Sequence, residues 1–155
     1  MKILFQILVA LLLLGGLAAC TQNDKVIGDR FGMWKVNEIT INGETDTDYH
    51  HNMFWSFQAN VICMKLASEN PYTAVYSSTY GGCTKKGDKL ILDYRNTDSS
   101  HPEEGDPYYS PLPQSHLPAS CEITLDIIHL SGSSMELKYD AEDGAVIVYK
   151  LEKWD

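Results

Sequence analysis

The side chains with which this chain could do chemistry are four cysteines, five histidines and twenty-one carboxylates. Their arrangement argues against catalysis. His50 and His51 stand beside Asp46 and Asp48, which is the donor set of a metal site. Adjacent residues on an extended chain point to opposite faces, so the two imidazoles would not converge on one ion, and a solvated turn is the expectation. His101, His116 and His129 are scattered, and no motif places a nucleophile beside them. Ser77-Ser78 and the serines between Ser131 and Ser134 lack the Gly-x-Ser-x-Gly context that aims a hydroxyl from a strained turn. Glu103-Glu104 lies among prolines, where rigid positioning of paired carboxylates is hard. No glycine-rich phosphate loop, dinucleotide fingerprint or Cys-x-x-Cys metal spacing is present. The expectation is a protein that is not an enzyme and carries no metal or cofactor.

Cys20 is different, because its surroundings form a pattern. Lys2 precedes an apolar run from Ile3 to Leu14 broken only by Gln6, and Gly15 to Ala19 is small and flexible. That is the layout of a secretory signal, and the run is too short to cross a hydrocarbon core of about 30 Å as a mature helix. A buried core helix would need a polar face, which one glutamine does not supply. Leu17-Ala18-Ala19-Cys20 resembles the lipobox of bacterial lipoproteins. The resemblance implies cleavage before Cys20, diacylglycerol on its thiol, and a further acyl chain on the freed amine. Stable anchoring needs more than one chain, at about 0.8 kcal/mol for each buried CH₂. Residues 1–19 are then a signal peptide and residues 20–30 a lipidated polar tether. The mature protein would sit in the bacterial cell envelope, held to a membrane, with the outer membrane the expected one and its face open.

Removing residues 1–19 takes away Lys2, the only charge there, so the formal charge of −9 becomes −10. Such a chain is unsuited to nucleic acid, whose phosphates demand basic patches. It would not lie on an anionic membrane by charge alone, so its partners should be neutral, apolar or cationic.

The rest of the chain, residues 31–155, must position whatever site exists, and it reads as strands. Met33 to Ile41 ends at Asn42-Gly43, a strong hairpin turn signal. Met53 to Phe57, Val61 to Leu66, Tyr72 to Tyr80 and Lys89 to Tyr94 are rich in aromatic and β-branched residues and are separated by turn residues. Cys121, Ile123, Leu125 and Ile127 alternate with polar residues, as do Met135, Leu137 and Tyr139, and then Ile147, Tyr149 and Leu151. That period of two marks half-buried strands. The pattern predicts an all-β domain, a single small antiparallel up-and-down barrel of about eight strands; eight is the number that encloses packed side chains or one small ligand. A sandwich of the same strands is the alternative the pattern leaves open. Between the two halves, residues 96–118 hold five of the six prolines and the pair Tyr108-Tyr109. Proline cannot donate to a strand ladder, so this is a long loop, either solvated or a lid or binding loop. Aromatic side chains in a polar loop favour a contact, which makes Tyr108 and Tyr109 candidate binding residues.

Gly32-Met33-Trp34 at the head of the first strand, together with the strand count, resembles the lipocalin (calycin-type) family and its lipoprotein members in Gram-negative bacteria. The resemblance spans roughly Phe31 to Trp154. It implies that Gly32 lets the chain pack closely, that the Trp34 indole plugs one end of the barrel, and that Lys150 or Lys153 lies across the indole as a cation. The family's Thr-Asp-Tyr marker occurs here only as Thr47-Asp48-Tyr49, too early in the chain to correspond. No catalytic residue is carried over.

Strand parity places Leu90, Leu92, Ile123, Leu125, Leu137, Tyr149 and Val75 inward, with Leu92, Leu125 and Tyr149 as candidate ligand contacts. Across the turn at Lys85 to Asp88, Cys83 falls roughly opposite Leu90 and faces inward, as does Cys121; Cys63 faces outward. Cys83 and Cys121 are therefore the pair that could bridge, while three reduced thiols is the competing expectation. Two functions follow. One is an anchored barrel binding a small apolar or amphipathic ligand. The other is an anchored interaction protein whose loops grip another protein, for example a cationic lytic enzyme.

Overall fold

The computed structural model describes residues 28–95, 110–119 and 122–154, and within them the chain is almost wholly strand. A 3₁₀ turn at Gly28–Arg30 leads into β1 (Gly32–Ile41), followed by β2 (Glu44–Thr45), β3 (Met53–Gln58), β4 (Val61–Ala67), β5 (Val75–Lys86), β6 (Lys89–Asp93), β7 (Glu122–Leu130), β8 (Ser134–Asp140) and β9 (Val146–Lys153). Each strand pairs antiparallel with the next, apart from the two-residue β2, which only doubles back on β1. β1 also pairs with β9 from Trp34↔Lys153 to Ile41↔Ile147. This last ladder turns the sheet into a closed eight-stranded barrel and excludes the sandwich.

The turns follow their residues. Asn42 and Gly43 both take positive φ, 53° and 84°, which suits the twist of a two-residue hairpin. Ala59 adopts φ 47° between β3 and β4. At the β5–β6 hairpin Cys83 stands opposite Leu92, not Leu90. That is a slip of two residues, which leaves the facing unchanged because the side-chain period is two. β5 begins later than its composition indicates: Pro71 to Ala74 is a turn region, and Val75 is exposed rather than inward.

Alternation sorts the side chains. Trp34, Val36, Ile39, Met53, Trp55, Phe57, Ile62, Met64, Leu90, Leu92, Ile123, Leu125, Leu137 and Tyr149 join one continuous apolar interior. β3 is buried on both faces, because Trp154 folds back over the outer wall against Met33, Phe54 and Ala67. Its ring meets Phe54 edge-on at 5.1 Å.

Candidate functional site

One end of the barrel is closed by residues close together in sequence. Trp34 is fully buried and its Nε1 donates to the carbonyl of Arg30 at 2.8 Å. The cation over the indole is Lys153, 4.5 Å from the ring centroid, and its ammonium also donates to the carbonyl of Phe31. Lys150, the other candidate, is not there: it points outward and pairs with Glu38 at 2.9 Å. Gly32 has φ 104°, and a Cβ on it would lie 3.1 Å from the Lys153 chain. The glycine is thus required twice, by backbone conformation and by the lysine stem laid across it. Gly28–Arg30, read from sequence as tether, is part of this closure, and Arg30 is buried.

The other end is roofed by chain from distant parts of the sequence. Residues 110–119, the described part of the proline-rich loop, fold onto the mouth. Leu112 and Leu117 join the apolar interior and Ser115 is fully buried. Pro113 opens a 3₁₀ turn that ends at His116 in the left-handed conformation. Tyr149 Oη, from the inward face of β9, donates to the carbonyl of Ser115 at 2.6 Å. His116 Nε2 lies 2.8 Å from the Asp46 carboxylate in the segment between β2 and β3. That contact holds the Asp46 carboxyl below its usual range. Tyr49, from the same segment, is buried and donates to the carbonyl of Val36 at 2.6 Å while accepting from the Met53 amide. Burial pushes the Tyr49 phenol up.

Leu92, Leu125 and Tyr149 are thus brought together inside the barrel, as strand parity predicts. Tyr108, Tyr109, Cys20 and Cys121 lie outside the described residues. Cys83 faces the interior as a free thiol, and burial pushes that thiol up to about 12, partly opposed by the Arg30 guanidinium; the pairing expected with Cys121 falls outside the described residues. Cys63 is also free, and lines a shallow recess of about 150 Å³ on the outer wall with Ser56, Lys65 and Tyr80. His50 and His51 do not converge. His51 Nδ1 lies 2.6 Å from the carbonyl of Asn37, so that nitrogen carries the proton, and His50 is exposed. Among the described residues no three His, Cys, Asp or Glu side chains gather as a metal site would require.

Sequence reading allowed the proline-rich loop to be a lid but named Tyr108 and Tyr109, not the residues that roof the mouth. The one signal for these was the pair Leu112 and Leu117, the only aliphatic residues in a loop of prolines and polar residues. Sequence reading also missed Arg30, Trp55, Thr79 and Tyr94, whose buried polar atoms find no partner among the described residues.

A closed eight-stranded barrel, a Gly-x-Trp head, and a lysine of the last strand over the indole are the marks of one family. The family model described as a lipocalin-like domain matches residues 12–143. The chain belongs to this lipocalin-like family. Among solved structures, a lipocalin-like protein from Bacteroides uniformis is 18% identical with a TM-score of 0.54, the match covering 82% of this chain and 100% of that one. An uncharacterized protein from Bacteroides eggerthii is 19% identical with a TM-score of 0.58, covering 80% and 98%. At these identities both speak for the lipocalin-like fold alone. No curated protein matches the chain.

Proposed function

We propose that this lipocalin-like protein is a lipid-anchored carrier that holds a small apolar or amphipathic ligand inside its barrel, and that it is not an enzyme. The observation that carries this reading is the way the mouth is covered. The core of the barrel is one continuous apolar cluster, yet its roof at 110–119 is held by Leu112, Leu117, the Tyr149–Ser115 bond and the His116–Asp46 pair, with no strand ladder. A roof tied by side chains can lift while the barrel stays closed, which is what admission of a ligand needs. The lipobox at Cys20 supports anchoring in the bacterial cell envelope, at the outer membrane.

Native mass spectrometry of the protein purified from its own host tests the carrier reading. The expected result is a bound small molecule whose removal changes the fluorescence of the interior Trp34 and Trp55. A protein of bare polypeptide mass whose tryptophan emission responds to no apolar probe sinks it. The anchor is tested separately with radioactive palmitate: wild type should take up label and Cys20→Ser should not.

The second reading, an interaction protein, is favoured by one observation. Tyr72 and Tyr76 are 65% and 72% exposed beside Val75, on an acidic protein. Aromatic rings held in solvent are typical of protein contacts.

A further inference from the structure

The barrel interior is not uniformly apolar. Arg30 is only 5% exposed, and among the described residues its one hydrogen bond runs from Nη2 to the carbonyl of Ala59 at 3.5 Å. Among the described residues its Nε and Nη1 are buried without a hydrogen-bond partner, as are Trp55 Nε1, Thr79 Oγ1 and Tyr94 Oη. Among the described residues no carboxylate pairs with the Arg30 guanidinium. A buried cation without a counter-charge is costly, and buried polar atoms are nearly always hydrogen-bonded, so five such atoms in one interior need an explanation.

They belong to one neighbourhood. Arg30 reaches the carbonyl of Ala59, the next residue Asn60 accepts from the Cys83 amide at 2.7 Å, and two residues before Cys83 stands Gly81, against which the Tyr94 ring packs. The Trp55 ring lies 5.0 Å from that of Tyr149. Trp55, Met64 and Thr79 form one cross-strand row, Trp55↔Met64 and Met64↔Thr79. Tyr94 is seated by Gly81, where a Cβ would come within 2.7 Å of its ring, so the phenol is held in place. Arginine and indole nitrogens only donate, and the two hydroxyls can donate. What complements four donor groups, one of them a cation, is an acceptor that carries negative charge.

We propose that this part of the barrel interior receives the anionic head of an amphipathic ligand, a carboxylate or similar oxyanion, with Arg30 as its counter-charge and Trp55, Thr79 and Tyr94 as donors. Leu90, Leu92, Ile123 and Leu125 are then the apolar wall for its tail. The inference rests on the interior-binding reading above and specifies the chemistry of the ligand. It runs against the protein's overall charge of −9, which repels anions, so any preference for one must come from a local site.

The probes are octanoate and 1-octanol, equal in chain length and different in head, titrated by tryptophan fluorescence and calorimetry. The full chain is used with Cys20→Ser, so that no attached lipid competes. Octanoate should bind about tenfold or more tighter than octanol, as a charge-assisted hydrogen bond provides. Arg30→Gln should remove most of that preference and leave octanol binding in place; Tyr94→Phe should reduce it by a smaller factor. Equal affinity for the two probes in the parent chain overturns the head-group site while keeping interior binding. Binding of neither overturns both. A preference that survives Arg30→Gln undiminished also overturns the site. If Arg30→Gln does not fold, the parent comparison still decides, with Tyr94→Phe as the variant.

Discussion

At the Trp34 end of the barrel, Gly32, Trp34 and the carbonyls of Arg30 and Phe31 come from five consecutive residues, and only Lys153 arrives from elsewhere. At the mouth, Asp46, Tyr49, Leu112, Ser115, His116, Leu117 and Tyr149 come from three segments separated by tens of residues. The first end is a buried aromatic plug beside a glycine whose φ of 104° and lysine neighbour make any larger residue strained. The second is a roof with one buried polar tie, Tyr149 to Ser115, and one exposed, His116 to Asp46. A buried plug sets the global stability of the barrel, whereas a side-chain latch governs local opening. The proposed carrier would need both, a floor that does not yield and a cover that does.

The contrast is broken most strongly at the plug. Trp34→Ala should destabilise the fold by about 3–5 kcal/mol, as large aromatic truncations in cores do. A urea-denaturation midpoint unchanged within error would mean that the indole closes nothing. Next comes Gly32→Ala, expected to cost about 1–3 kcal/mol because an alanine must adopt φ 104° and displace the Lys153 stem. Gly132→Ala is its control: that glycine has no positive φ and open space where a Cβ would stand, so its midpoint should not fall appreciably.

The roof should respond differently. Tyr149→Phe removes the bond to the Ser115 carbonyl, at about 1 kcal/mol. Its mark should be faster amide exchange across residues 110–119 with the strands unaffected; uniform acceleration through the barrel would show that mouth and plug open as one unit. Asp46→Asn should have the smallest effect, under about 1 kcal/mol for a partly exposed pair. It carries a pH signature. The Asp46 carboxyl is held below 3.8 in the folded protein, chiefly by His116. A depressed folded value means that the contribution is present above the unfolded value and is lost as pH falls through the folded one. Acid should therefore loosen the roof of the wild type more than that of Asp46→Asn, as read by exchange at 110–119.

Much of the barrel was legible because its signals are local. Period-two alternation at Ile123, Leu125, Leu137 and Tyr149 depends only on the pleat, and it survived a two-residue slip of the Cys83 hairpin. Asn42-Gly43 states its own turn through backbone sterics. The candidate site was less legible. Val75 has strand composition but lies just past a turn, where exposure is a matter of where the ladder begins. Lys150 and Lys153 are three residues apart on a strand and so lie on opposite faces; which of them meets Trp34 depends on the register of β9 against β1.

From its residues alone, the chain determined an all-β domain and most of the inward set of its strands, and resemblance pointed to a lipobox at Cys20 and to the Gly32–Trp34 plug. These follow from short-range rules: side-chain alternation, turn sterics, and the chemistry of a few consecutive residues. Only the tertiary structure decided that β1 meets β9, that Lys153 rather than Lys150 covers the indole, and that Leu112 and Leu117 roof the mouth. It alone placed Arg30, Trp55, Thr79 and Tyr94 inside with donors unpaired. Each of those facts joins segments far apart in the chain, and a polar residue carries no local mark of whether folding will leave it in water or enclose it.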